Sequence, residues 1–129
     1  MANTIMQRTL VGGGSDDNIY RLIHIISDGS EETDLVIYDN STLTNNVAKG
    51  SLKQVWLAGS DALVRLEWDQ TTDAPIFSGN PINSPYFDFR AFGGITNPNG
   101  AGATGDILLT TANLDIGDEV VIILHIFQN

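Results

Sequence analysis

The sequence predicts an all-β protein: an antiparallel, jelly-roll-like sandwich of about eight or nine strands with little or no helix. Short runs of Ile, Val, Leu, Thr and aromatic residues are separated by clusters of Gly, Asn, Asp, Ser and Pro. In 62–68, Ala62, Val64, Leu66 and Trp68 alternate with Leu63, Arg65 and Glu67, the period-two pattern of a strand with one buried and one solvated face. No window of helical length repeats apolar residues at i, i+3, i+4 and i+7. A chain of 129 residues with 42% apolar composition suits one domain over 1–129.

The first expected strand, 4–11, lies in a segment, 1–17, that reads as an extended N-terminal arm. The polar gap "GGGSDD" behind it would let the arm cross to a neighbouring copy. Strand 18–27 is apolar on both faces except at Arg21 and His24. Asp28-Gly29-Ser30 then predicts a hairpin into strand 33–39. After the polar connection 40–51, strands 52–58 and 62–68 predict a second hairpin, bent at Gly59-Ser60-Asp61. Strands 74–78 and 85–89 follow, then a loop over 92–105 with five glycines, then strand 106–111.

The last strand, 118–127, places Val120, Ile122, Leu124 and Ile126 on one face and Val121, Ile123, His125 and Phe127 on the other. Such a strand is central in its sheet or meets another subunit. Two-faced strands exceed what the single interior layer of a sandwich needs, so an oligomer is expected.

The net charge is −10, and the six bases are Arg8, Arg21, Lys49, Lys53, Arg65 and Arg90. Nucleic-acid binding needs clustered cations, so no nucleic-acid partner is expected. The chain has no cysteine, hence no disulfide framework, thiolate nucleophile or cysteine-bound zinc. The start, "MANTIMQRTLVGGG", lacks the basic and long apolar regions of a secretion signal, and the longest apolar run, 120–124, is too short to span a bilayer. No membrane partner is expected, and synthesis in the cytoplasm is.

Gly100-Ala101-Gly102-Ala103-Thr104-Gly105 spells G-x-G-x-x-G. A dinucleotide cradle needs a strand entering the glycines and a helix leaving them. Here the entrance is the turn "TNPN", the exit "DILLTT" is strand-like, and no base follows. A shaped loop with close backbone approach is expected instead. In "DGSEETD", Asp28, Ser30, Glu32 and Asp34 alternate as calcium ligands do, and Asp39 stands at the twelfth place. Thr33 replaces the required glycine and strands flank the segment, so a solvated acidic tip is expected.

His24 and His125 lack metal-ligand spacing and any nucleophile elbow, so both are read as buried, hydrogen-bonded histidines of apolar strands. With 16 acids, some carboxylate pair always lies at glycosidase spacing and decides nothing. The aromatics Trp56, Trp68, Tyr86, Phe87, Phe89 and Phe92 suit core or interface packing better than a sugar platform. No catalytic residue, cofactor or metal is expected, and the chain is not read as an enzyme. The candidate contact surface is the cluster "YFDFRAFGG" and the loop behind it: Phe87, Phe89, Arg90, Phe92, Asn97, Pro98 and Gly102.

The phrases "EETDLVIYDNSTL", "LVRLEWDQTTDAPI", "FDFRAFGGITNPNGAGATGDILLTT" and "GDEVVIILHI" together resemble a family of small virion structural proteins of tailed double-stranded-DNA phages. The most specific stretches are W-D at 68–69, D-F-R-x-F-G-G at 88–94 and N-P-x-G-A-G-x-T-G-D at 97–106. The resemblance implies a capsid cement or decoration protein on the exterior of the virion head. It implies the major capsid protein as partner and a homo-oligomer, with a trimer favoured by the local threefold points of a shell. The alternatives are a neck or tail component and a carbohydrate-binding attachment module.

Overall fold

A computed structural model describes residues 3–11, 18–39 and 50–127. The described residues form ten strands: β1 (Thr4–Val11), β2 (Asn18–Ile26), β3 (Leu35–Tyr38), β4 (Ser51–Gly59), β5 (Leu63–Trp68), β6 (Ala74–Gly79), β7 (Tyr86–Asp88), β8 (Ile95–Thr96), β9 (Ile107–Ala112) and β10 (Glu119–Phe127). A three-residue 3-10 turn at Arg90–Phe92 sits between β7 and β8. The segment expected as an arm contributes β1, which pairs antiparallel with β2 of its own chain; the gap 12–17 lies outside the described residues.

The larger sheet runs β1-β2-β10-β4-β7, with β8 also on β4, and the smaller runs β3-β9-β5-β6. All pairings are antiparallel. This order, with consecutive strands passing back and forth between two facing sheets, is jelly-roll winding. It overturns both expected hairpins. β2 and β3 lie in opposite sheets, as do β4 and β5. The turn chemistry was read correctly, but a short polar turn can bridge two facing sheets as well as two adjacent strands. The edges of β2 are taken by β1 and β10, and those of β4 by β10 and by β7 with β8. The bend at the second crossing needs Gly59, whose φ is +117 and whose missing Cβ leaves room for the backbone of Glu119.

The core lies between the sheets. From the larger sheet, Ile19, Ile23, Ile25, Val55, Leu57 and the whole Val120/Ile122/Leu124/Ile126 row are buried. From the smaller come Val64, Leu66, Trp68, Ile107 and Leu109. Each such aliphatic side chain contributes about 1.5–3 kcal/mol by leaving water. Arg21 breaks the inner row of β2 and is held by three acceptors: Ile37 O (3.2 Å), Thr9 Oγ1 (3.2 Å) and Gln7 Oε1 (2.8 Å). Those bonds replace the water that burial removes, which is why a guanidinium is tolerated there. Among the described residues, no helix is long and apolar enough to cross a membrane.

Candidate functional surface

β2 and β10 are apolar on both faces, and the sandwich covers only one. The outward side of the larger sheet is laid out by strand register. One row runs Arg8, Leu22, Ile123, Trp56, Tyr86 across five strands. The row beside it runs Met6, His24, Val121, Ala58, and on the other side run Tyr20, His125, Gln54, Asp88. Leu22, Val121, Ile123 and Trp56 are half-buried, while Met6 is 50% and Tyr86 44% exposed. A shallow depression of about 200 Å³ opens between Met6, Gln7, Arg8, Leu22 and His24.

The third row and the Trp56–Tyr86 end of the first form a hydrogen-bonded aromatic group. The Tyr20 and His125 rings stack at 4.4 Å, and Trp56 and Tyr86 at 5.5 Å. His125 Nδ1 lies 2.9 Å from Gln54 Oε1, and Nε2 lies 2.8 Å from Asn18 Oδ1. Gln54 Nε2 in turn donates to the Tyr86 hydroxyl at 2.7 Å. Burial lowers the pKa of His125 below its ordinary value of 6.5, and Arg90 and Lys53 nearby push the same way. His24 is half-exposed and meets Glu119 at 2.9 Å. Both histidines are therefore hydrogen-bonded as expected, but only His125 is buried.

Arg90 grips Asp88 with Nε and Nη2 at 2.9 and 2.8 Å. The guanidinium, together with the Arg90 backbone N–H, holds the Asp88 carboxyl well below the usual carboxylate range. Lys53 Nζ donates to Gly93 O and lies 5.3 Å from the centre of the Phe127 ring. Among the described residues, this outward face carries three bases, Arg8, Lys53 and Arg90, and two acids, Asp88 and Glu119. The whole chain has net charge −10, so the surface elsewhere holds the acidity.

The structure divides the residues chosen from sequence. Phe89 is 9% exposed, and Phe87 and Phe89 stack on each other and lean on Phe77, which packs against the core. Arg90, Pro98 and Phe92, the last 66% exposed, face outward. Asn97 is buried, and its Oδ1 accepts from Asn99 N at 2.8 Å to set the turn. Gly102 has φ +76, and a Cβ on it would overlap Thr71 Oγ1. Sequence reasoning passed over Tyr20, Gln54, Arg8 and Leu22 as members of one surface. The available signal was the polar and apolar mix on the second face of β2, which becomes a patch only once register is known.

The glycine loop is laced to the β5–β6 turn: Thr71 N donates to Ala101 O (2.9 Å), Thr104 N to Asp69 O (3.1 Å), and Gly100 N to Gln70 Oε1 (3.1 Å). The amides of Gly100, Ala103 and Thr104 are thereby committed to the protein. In "DGSEETD" the side chains diverge. Asp28 accepts from Ser30 N and Oγ, Glu31 from Thr111 Oγ1 and Leu114 N, and Glu32 from Asn3 Nδ2. Asp34 meets Glu67 and Asp73 instead, with carboxylate oxygens within 4.8 Å of one another on the exposed side of the smaller sheet.

No family model and no curated protein matches the chain. A solved structure described as "CBM4 structure and function" is similar over 87% of this chain and 84% of that one, at 9% identity and a TM-score of 0.30. That likeness is too slight to carry anything about fold or function.

Proposed function

We propose that the chain is a structural protein of a phage virion, a cement protein that binds the outer head surface and stabilises the shell as an oligomer. The observation that carries this reading is the uncovered second layer of the larger sheet. Leu22, Val121, Ile123 and Trp56 form a continuous apolar band that the described residues leave only half-buried, and bands of that kind mark protein contacts. Ring stacking within the band supports a protein contact, since His125 covers one face of Tyr20 and Tyr86 one face of Trp56. A protein that binds only assembled shell adds RT ln(1 + [L]/Kd) of stability per site. The sequence resemblance supplies the virion, and the exposed Arg90, Phe92 and Pro98 supply an end with which to reach the major capsid protein.

The test is to titrate purified protein onto capsids lacking it and count bound copies by cryo-electron microscopy. Hundreds of copies at symmetric positions support cement. A ring of a dozen or fewer at one vertex supports the neck or tail alternative, and no binding overturns both. A carbohydrate-attachment module is the second reading, favoured by the Trp56–Tyr86 pair beside Gln54 and Asp88. Glycan-array binding lost in Trp56→Ala would support it.

A further inference from the structure

We infer that the outward face of the larger sheet is the contact between two copies of this chain, paired about a twofold axis along the β2–β10 seam. The inference deepens the oligomer part of the function proposed above, with a twofold pair in place of the trimer that the resemblance favours, and rests on that part alone. A twofold contact must be complementary to itself, and this face is.

The row Arg8, Leu22, Ile123, Trp56 is read across β1, β2, β10 and β4. An axis between its two central members sets Leu22 of each copy on Ile123 of the other. The same operation sets Arg8 of each copy on Trp56 of the other, a cation over an indole. Arg8 is exposed and has no ion-pair partner among the described residues. The depression between Met6, Arg8, Leu22 and His24 lies where Trp56 of the second copy arrives, a hole facing a knob. In the neighbouring row, Met6 meets Ala58 and His24 meets Val121 by the same symmetry, so a large side chain faces a smaller one.

Of the surfaces of this acidic chain, this face is the one where charge opposes a second copy least. Two molecules of net charge −10 repel through most of their surface. This face has more bases than acids among its described residues, and its two acids, Asp88 and Glu119, are already held by Arg90 and His24. Closing here removes apolar surface from water and brings no unpaired acids together.

The test uses the full chain at micromolar concentration, with size-exclusion chromatography and light scattering. The wild type should associate. Leu22→Glu and Ile123→Lys should each give a folded monomer, with far-UV circular dichroism and thermal melting checking the fold. Arg8→Ala, which removes no core contact, should weaken association about tenfold. Mixing Leu22→Glu with Ile123→Lys should restore a mixed dimer, because the axis places those positions opposite one another; that rescue separates this geometry from general loss of apolar surface. A monomeric wild type, or variants that stay associated, would overturn the inference. So would glycan binding lost in Trp56→Ala with association unchanged. Capsid titration with the wild type keeps the two readings apart: a protein that self-associates but fails to bind capsid sinks the cement function alone.

Discussion

Asp69 and Thr104, separated by 35 residues, are joined twice: Thr104 N donates to Asp69 O at 3.1 Å and Thr104 Oγ1 to Asp69 Oδ2 at 2.8 Å. This double tie clamps the glycine loop onto the β5–β6 turn and sets Gly102 against Thr71. Gly102→Val is therefore expected to cost roughly 2–4 kcal/mol, from positive φ and overlap together. Gly93→Ala, at φ +90 with nothing within 4 Å of its Cβ, should cost only about 1 kcal/mol. Urea denaturation of both variants checks the contrast, and equal losses would show that the close approach contributes nothing.

The two tryptophans should behave oppositely. Trp68 is 1% exposed in the core, so Trp68→Ala is expected to destabilise by about 3–5 kcal/mol. Trp56 lies on the outward face, so Trp56→Ala should leave folding within about 1 kcal/mol of wild type while weakening self-association. Denaturation and light scattering on the same samples separate the two effects.

Stability should fall as the solution is acidified from neutrality. His125 binds its proton less readily folded than unfolded, since burial, Arg90 and Lys53 all lower its pKa. A base so shifted stabilises the fold above its unfolded value of 6.5, and that contribution is withdrawn as pH falls through the lower folded value. The depressed carboxyls of Asp28 and Asp88 act in the same direction, but only below the ordinary carboxylate value of 3.8. His125→Gln should flatten the slope of unfolding free energy just below the unfolded value of 6.5. An unchanged slope would assign it to another group.

Association should strengthen with salt. Copies of net charge −10 repel over distances that ions screen: the Debye length falls from about 30 Å at 0.01 M to about 3 Å at 1 M. Sedimentation at low and high ionic strength measures this. Weakening with added salt would mean that ion pairs hold the contact.

Most of the strand list was legible because strands such as 62–68 and 118–127 carry alternation or a solid apolar run and turn clusters set the others apart. The reading of Ala62, Val64, Leu66 and Trp68 as one inward row holds, each being buried. β8 was not legible: Ile95–Thr96 is too short for any period and exists because Ser51 and Leu52 lie beside it. The crossings after β2 and β4 were misread because local turn chemistry does not say which sheet receives the next strand. The outward surface was half legible. The two-faced character of 118–127 pointed to it, but Arg8 and Trp56 share a row only through the registers of three strand pairs.

The position of β10 bears on how the chain reaches this state. The strand latest in sequence fills the slot between β2 and β4, so the larger sheet cannot close from its earlier strands. Until residues 119–127 arrive, β2 and β4 each hold an open edge of unpaired backbone, the kind of template that recruits foreign strands. Folding on the ribosome must therefore wait for the end of this domain, and the most dangerous intermediate is a nearly complete one. A peptide spanning 119–127 added in trans would compete for that slot during refolding and trap the chain with its own strand displaced.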